Sequence, residues 1–227
     1  MRTSQGIIII DTLFDYAIEP EIVDGLTKLG LDPRNIKYVL ISHAHGDHDQ
    51  GAGILQSRFG AKVVMGAADW ESTLKRPADA PGGVPKRDIA VGPEGYKLTL
   101  GDTTVDIVAT PGHTPGTLSY LFPVKDRGRT LTVAYSGGTA FNFPRAAASF
   151  AMYRDGAKKM GDAAKAAGAT VLMSNHTEFD GAYDKARLAQ LPRAAGEKHP
   201  YETDVATVQR YFEMLDDCAE AQRLSMN

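Results

Sequence analysis

The chain contains a single cysteine, Cys218, so no intrachain disulfide can form and the redox compartment is left open. No apolar stretch approaches the roughly 20 residues that a membrane-spanning helix needs. There is no long basic run either, and a formal net charge of -3 over 227 residues does not suggest the basic face that nucleic-acid binders carry. The expectation is therefore a small-molecule substrate, with neither nucleic acid nor membrane as a partner. Low-complexity linkers and exact internal repeats are missing as well. Ile7 to Ile10 is apolar, but it ends at Asp11 and is too short for the core of a signal peptide, so it reads as a strand. A hydrophobic content of 43% and a charged content of 23% are ordinary for a folded globular chain. The length supports a large core and the expectation of one domain over residues 1–227.

Histidine is also scarce, at six residues, yet half of them fall inside His43-Ala44-His45-Gly46-Asp47-His48. Three imidazoles and a carboxylate crowded together suit a zinc-type ion, whose binding offsets the desolvation of so many ligands. Tyr38 to Ile41, just before the motif, is a short apolar run of the kind a buried strand shows, and Gly51 to Phe59 reads as a helix closed by Gly60. The motif is thus expected on a loop at the C-terminal end of a strand. Extended backbone puts residues i and i+2 on one side, so His43 and His45 can share an ion. Asp47 and His48 lie past the bend and are free to serve a second one.

Elsewhere the pattern alternates between strands and helices. Ile18, Ile22, Val23, Leu26 and Leu29 fall at helical spacing with Gly30 as the stop, and Asp32-Pro33 turns the chain into the next strand. Lys62 to Met65 reads as a strand, and Ala67 to Leu74 as a short helix in which Trp70 serves packing. Arg76 to Val91, with three prolines and two glycines, reads as a long loop, a lid or substrate wall. Hairpins are expected at Gly101-Asp102, between Tyr96–Leu100 and Thr103–Ala109, and at 126–129, between Thr117–Pro123 and Thr130–Tyr135. Phe150 to Ala167 reads as a helix, Thr170 to Ser174 as a strand and Tyr183 to Leu191 as a helix. Thr203 can cap a last helix with Val205, Val208, Phe212, Leu215 and Ala219 on one face. Two packed sheets with helices outside fit this order.

Two further histidines also follow strands. His113 lies in Thr110-Pro111-Gly112-His113-Thr114-Pro115-Gly116 after the strand ending at Ala109, and His176 follows the strand ending at Ser174. Strand ends along one edge of a layered sheet are where ligands converge. His199, beside Pro200 in a polar stretch, reads as a surface residue.

The histidine motif, the segment 111–116 and Asp11 after Ile7 to Ile10 together resemble the metallo-β-lactamase superfamily, over essentially the whole chain. That resemblance implies an α/β fold, an αββα sandwich of two mixed sheets packed face to face with helices outside. It also implies two Zn2+ per chain, one held by His43, His45 and His113, the other by Asp47, His48 and His176. Asp11 would steady the motif loop. Many hydrolases of this superfamily have a bridging aspartate after a later strand, whereas here Tyr135-Ser136-Gly137-Gly138-Thr139 offers no carboxylate and no cysteine. The remaining ligand set resembles the third metallo-β-lactamase subclass, and the stretch from His199 to Ala219 resembles proteins near it.

What the resemblance implies chemically is a zinc-dependent hydrolase. Two ions roughly 3.5 to 4 Å apart hold a bridging hydroxide that opens a cyclic amide, most directly a β-lactam. Asp47 would be the catalytic carboxylate, orienting the nucleophile and moving its proton. Lactone, thioester or phosphoester hydrolysis by the same ions is the alternative, as is a metal-binding protein with impaired catalysis. Thr139, Phe141, Asn142 and Phe143 either line a substrate pocket or, for the two phenylalanines, belong to the core. Relatives normally place several strands before the one ending at Asp11. The expectation is therefore that some N-terminal strands are lacking, completed by a homo-oligomeric partner or lost by truncation. Proteins of this kind are often periplasmic or secreted, but nothing in the chain decides its localisation.

Overall fold

A computed structural model describes residues 1–226. β1 (Arg2–Thr3) turns back antiparallel onto β2 (Gly6–Ile10), and a π-helical turn over Ile18–Val23 runs into α1 (Asp24–Lys28). β3 (Ile36–Leu40) leads to a single helical turn, α2 (Gly46–Asp49), then α3 (Ala52–Phe59), β4 (Lys62–Gly66), α4 (Ala67–Thr73) and β5 (Ile89–Val91). The second half contributes β6 (Tyr96–Leu100), β7 (Thr103–Ala109), β8 (Leu118–Asp126), β9 (Arg129–Ser136), α5 (Ala147–Ala166), β10 (Val171–Ser174), α6 (Ala182–Ala189) and α7 (Val205–Leu224).

The strands form two mixed five-stranded sheets, ordered β1-β2-β3-β4-β5 and β10-β9-β8-β7-β6. β2 to β5 are parallel, as β-α-β connections require, while β6 to β9 are joined by hairpins and run antiparallel. Period-two alternation explains the layering. Ile8, Leu40, Val64, Tyr120, Val133 and Tyr135 meet between the sheets. Their neighbours Ile7, Val39, Ile41, Val63 and Met65 face the outer helices with Ile18, Leu55 and Trp70. On the other side Leu121, Ala134 and Leu172 receive α5 and α7 through Phe150, Met160, Val208 and Phe212. The result is the αββα sandwich.

Several local expectations shift. Leu29 is 75% exposed, because the π-helical turn resets the helical phase and α1 ends at Lys28. Ile9 and Ile10 are half-buried, although their strand lies inside the sheet between β1 and β3. The segment 76–91 is not wholly irregular, since Ile89–Val91 pairs in parallel with β4. The last helix is capped by Asp204, not Thr203: Asp204 is extended (φ -139°) and its carboxylate accepts the Thr207 N–H at 2.7 Å. Trp70 is fully buried and donates its indole N–H to the Ile89 carbonyl at 2.8 Å.

Candidate metal centre

All six predicted ligands gather along one edge of the sandwich, at the ends of β3, β7 and β10. His43 and His45 lie on the loop that follows β3, with His45 extended as the residue before α2, whereas Asp47 and His48 lie in α2, so the start of that helical turn splits the motif between two clusters. In the first cluster, His113 Nε2 lies 3.0 Å from His43 Nε2 and 3.2 Å from His45 Nδ1. In the second, His48 Nε2 lies 3.3 Å from His176 Nε2 and 3.3 Å from Asp47 Oδ2, with His176 Nε2 to Asp47 Oδ2 at 3.7 Å. Tetrahedral zinc with Zn–N near 2.0–2.1 Å separates its ligand atoms by about 3.3 Å. Both triads therefore fit a zinc-sized ion in spacing and in donor type.

The ring nitrogens facing away from each cluster fix the tautomers. His43 Nδ1 lies 3.0 Å from the Gly137 carbonyl and His113 Nδ1 lies 2.7 Å from the Ala140 carbonyl, so each donates there and keeps its Nε2 lone pair for an ion. His48 Nδ1 pairs with Asp11 Oδ2 at 2.9 Å. Burial and the neighbouring imidazoles hold His43 far below the ordinary histidine range, and burial lowers His113 to about 4. For His48, burial pulls downward but is outweighed by the hydrogen bond and charge of Asp11 with the charges of Asp47 and Asp49, and the net shift is upward.

Asp11 has the steadying position expected of it. One oxygen accepts the Ser42 N–H at 2.7 Å; the other accepts the Ser42 hydroxyl at 2.8 Å and the Tyr135 hydroxyl at 3.2 Å, besides meeting His48. Its backbone is left-handed (φ 58°), which an aspartate tolerates better than most residues.

Two acidic residues of the site were missed from the sequence. Asp69, at 2% exposure, accepts the Ala44 N–H (2.8 Å) and the Thr114 hydroxyl (2.7 Å) on one oxygen and the Gly116 N–H (2.8 Å) on the other. It ties the His43–His45 loop to the His113 loop. Asp49, equally buried, pairs with Arg76 (2.7 Å), which also donates to the Ala44 carbonyl at 2.9 Å. An acid in a short helix carries no motif; the only available signal was that Asp69 adjoins Trp70, the large apolar residue on the buried side of α4.

Of the residues proposed to line a pocket, Thr139 is buried and donates to Asn175 Oδ1 at 3.2 Å, and Asn142 is exposed. Phe141 and Phe143 pack against Phe150 and Tyr153 of α5, with centroids 5.0 to 5.8 Å apart. That aromatic cluster supports the segment whose Ala140 carbonyl orients His113. Gly138 lies beneath the first cluster, where a Cβ would come within 2.5 Å of His113 Cβ. His199 is half-buried against Tyr201 rather than free on the surface.

Comparison with known proteins gives the same picture. A subclass B3 metallo-beta-lactamase of Bradyrhizobium japonicum superimposes with a TM-score of 0.80 at 28% identity, over 100% of this chain and 88% of that one. A Cronobacter sakazakii metallo-beta-lactamase follows with a TM-score of 0.78 at 27% identity, over 100% of this chain and 82% of that one. Among curated relatives, a hydroxyacylglutathione hydrolase of Acidiphilium cryptum is 39% identical over 87 residues, 38% of this chain and 31% of its own. An N-acyl homoserine lactonase of Bacillus thuringiensis is 26% identical over 129 residues, 55% of this chain and 48% of its own. The alignments thus span about half or less of those two curated proteins. The profile of the metallo-beta-lactamase superfamily matches residues 1–170, the stretch that carries β1 through α5 and five of the six clustered ligands. A match of that extent, on an edge where both ligand triads assemble, makes this chain a member of the metallo-beta-lactamase superfamily.

Proposed function

We propose that the protein hydrolyses a cyclic amide, a β-lactam, with two zinc ions. One observation carries the reading: the ligands resolve into a His-His-His and an Asp-His-His triad, and Tyr135-Ser136-Gly137-Gly138-Thr139 adds no carboxylate or cysteine to them. The subclass B3 lactamase of Bradyrhizobium japonicum, similar over the whole chain, supports the same branch.

Bound zinc supplies Lewis acidity, bringing the pKa of water near neutrality and polarising a carbonyl oxygen. The chain's own residues hold the geometry for that chemistry. His43 and His113 are kept neutral by burial, so no proton competes for their Nε2 atoms at pH 7. Asp47, with its side chain 37% exposed, is the carboxylate among the ligands and reaches solvent together with His176, so it can orient a water molecule and carry its proton to a leaving nitrogen. Asp11 and Asp69 set the loops that present these ligands.

Hydrolysis of a lactone or thioester is the second reading, favoured by the likeness to the lactonase and to the hydroxyacylglutathione hydrolase. Phosphoester hydrolysis, and a metal-binding protein without turnover, are the remaining outcomes. Nitrocefin turnover by the zinc-loaded protein, set against an acyl homoserine lactone, a glutathione thioester and a phosphodiester, separates them. Silence with nitrocefin at two zinc equivalents overturns the β-lactam reading. We further propose that a second copy pairs along the open edge of β1; a monomer by light scattering at zinc saturation overturns that.

A further inference from the structure

His176 is held differently from the buried imidazoles of the site. His43, His113 and His48 each have the second ring nitrogen tied to a carbonyl or a carboxylate, which fixes how the ring points. Among the described residues nothing hydrogen-bonds His176 Nδ1, and the side chain is 32% exposed. Its Nε2 nevertheless lies 3.3 Å from His48 Nε2 and 3.7 Å from Asp47 Oδ2. Phe179, its aromatic neighbour outside the triad, belongs to the same loop. The place of that nitrogen is therefore set by the backbone of the loop between β10 and α6.

Apolar packing gives that loop little hold, because α6, which follows it, has no buried residue. Hydrogen bonds hold it instead, and they converge on Asp180, which is 8% exposed. One carboxylate oxygen accepts the Ser174 N–H at 3.1 Å, reaching back to the end of β10. The other accepts the Ala182 N–H at 2.9 Å, an amide shared with the Thr177 carbonyl at 3.1 Å. A local aspartate turn accounts for the second contact only. The first closes a ring from strand end to helix start with His176 inside it. Ser174 adds to the frame: its hydroxyl oxygen accepts the His176 N–H at 3.3 Å, while the hydroxyl donates to Asn175 Oδ1 at 3.3 Å. At the helix start, the Tyr201 hydroxyl donates to the Ala182 carbonyl at 3.1 Å.

We infer that Asp180 is a positioning residue of the second cluster: by tying Ser174 to Ala182 it holds the His176 loop in the shape that brings Nε2 to Asp47 and His48. It acts through the loop's backbone and supplies no ligand atom. Support of this kind matters most for the ligand whose ring has no partner of its own, since a small shift of the loop carries the whole imidazole away from the ion. Asp11 acts on His48 and Asp69 on the first cluster, so Asp180 completes the support of the second. The inference rests on the two-zinc reading but not on which amide or ester is opened.

The test needs no turnover. Zinc is titrated into the metal-free protein in competition with a chelator, and the equivalent that Asp47→Ala removes identifies the second cluster. Asp180→Ala is expected to weaken that equivalent roughly 10- to 100-fold and to leave the other within about twofold. Asp180→Asn keeps one accepting oxygen; a smaller loss in the same equivalent is expected, and this variant carries the test if Asp180→Ala does not fold. Cobalt(II) spectra give a second readout, in which the bands of the second cluster change and those of the first persist. Equal weakening of both equivalents, the mark of a merely structural role, overturns the assignment, and so does an unchanged second equivalent. The native titration tests the two-zinc reading separately: fewer than two equivalents there overturns that reading and the inference with it. Failure of the β-lactam reading is distinguishable, because nitrocefin is then untouched while the selective zinc loss in the variants persists.

Discussion

The Asp69 carboxylate accepts the Thr114 hydroxyl at 2.7 Å while holding the Ala44 and Gly116 amides, so one side chain of α4 clamps the two loops that supply the first cluster. Asp69→Asn replaces an acceptor oxygen with a donor facing other donors. Zinc affinity at the first cluster is expected to fall roughly 10- to 100-fold, read by competition with a chelator. Asp69→Ala leaves buried donors unpaired and is expected to cost a further ~2 kcal/mol in denaturant unfolding.

Asp11→Asn acts from the other side, through His48 Nδ1. The second zinc equivalent is expected to lose roughly 10- to 100-fold in affinity, and more than the first. If the two substitutions weaken the two equivalents in the same order, the assignment of Asp69 and Asp11 to separate clusters fails.

Gly138→Ala would bring its Cβ within 2.5 Å of His113 Cβ and 3.0 Å of Thr117 Cγ2. The first cluster must then open, and destabilisation of ~1–3 kcal/mol with loss of one zinc equivalent is expected. Unchanged metal content and thermal stability would show that the loop yields freely.

Acid should empty the clusters in sequence. A proton competes for an imidazole only below its pKa; His48 is shifted upward on balance, whereas burial lowers His113 to about 4. On acidification the Asp47, His48 and His176 cluster is therefore expected to lose its ion before the first cluster does. In the metal-free protein, stabilisation by the His48–Asp11 pair is complete below the unfolded pKa of His48 and fades as pH rises through the folded value. Zinc content after dialysis at stepped pH checks the order; simultaneous loss contradicts it.

Arg76→Ala removes the partner of Asp49, whose side chain is 0% exposed and whose pKa burial already raises. An uncompensated buried carboxylate is expected to cost ~3–5 kcal/mol in denaturant unfolding. A cost below ~1 kcal/mol would mean that Asp49 is protonated at no penalty.

How much was legible depended on how local the signal was. The strand before His43, the hairpin at Gly101-Asp102 and the helix closed by Gly60, which is left-handed at φ 70°, appear where the residues indicated, because apolar period and turn chemistry act over a few residues. Leu29 did not fall on the buried face, since a π-helical turn has no signature in spacing alone. Thr203 and Asp204 are both capping residue types, and backbone direction chose between them. Asp69 was invisible because its three partners lie 25 to 47 residues away.

By itself the sequence determined the ligand chemistry: which imidazoles and carboxylate were available, that each lay after an apolar strand, and that no carboxylate stood near Gly138. Only tertiary structure decided which ring nitrogens meet. Residues 43, 113 and 176 converge because three strands from two sheets end on the same edge, and the Gly137 and Ala140 carbonyls and Asp11 then turn the rings of His43, His113 and His48 respectively. Hydrogen-bond direction at a ring nitrogen depends on partners distant along the chain, and the fold alone brings them within 3 Å or so of one another.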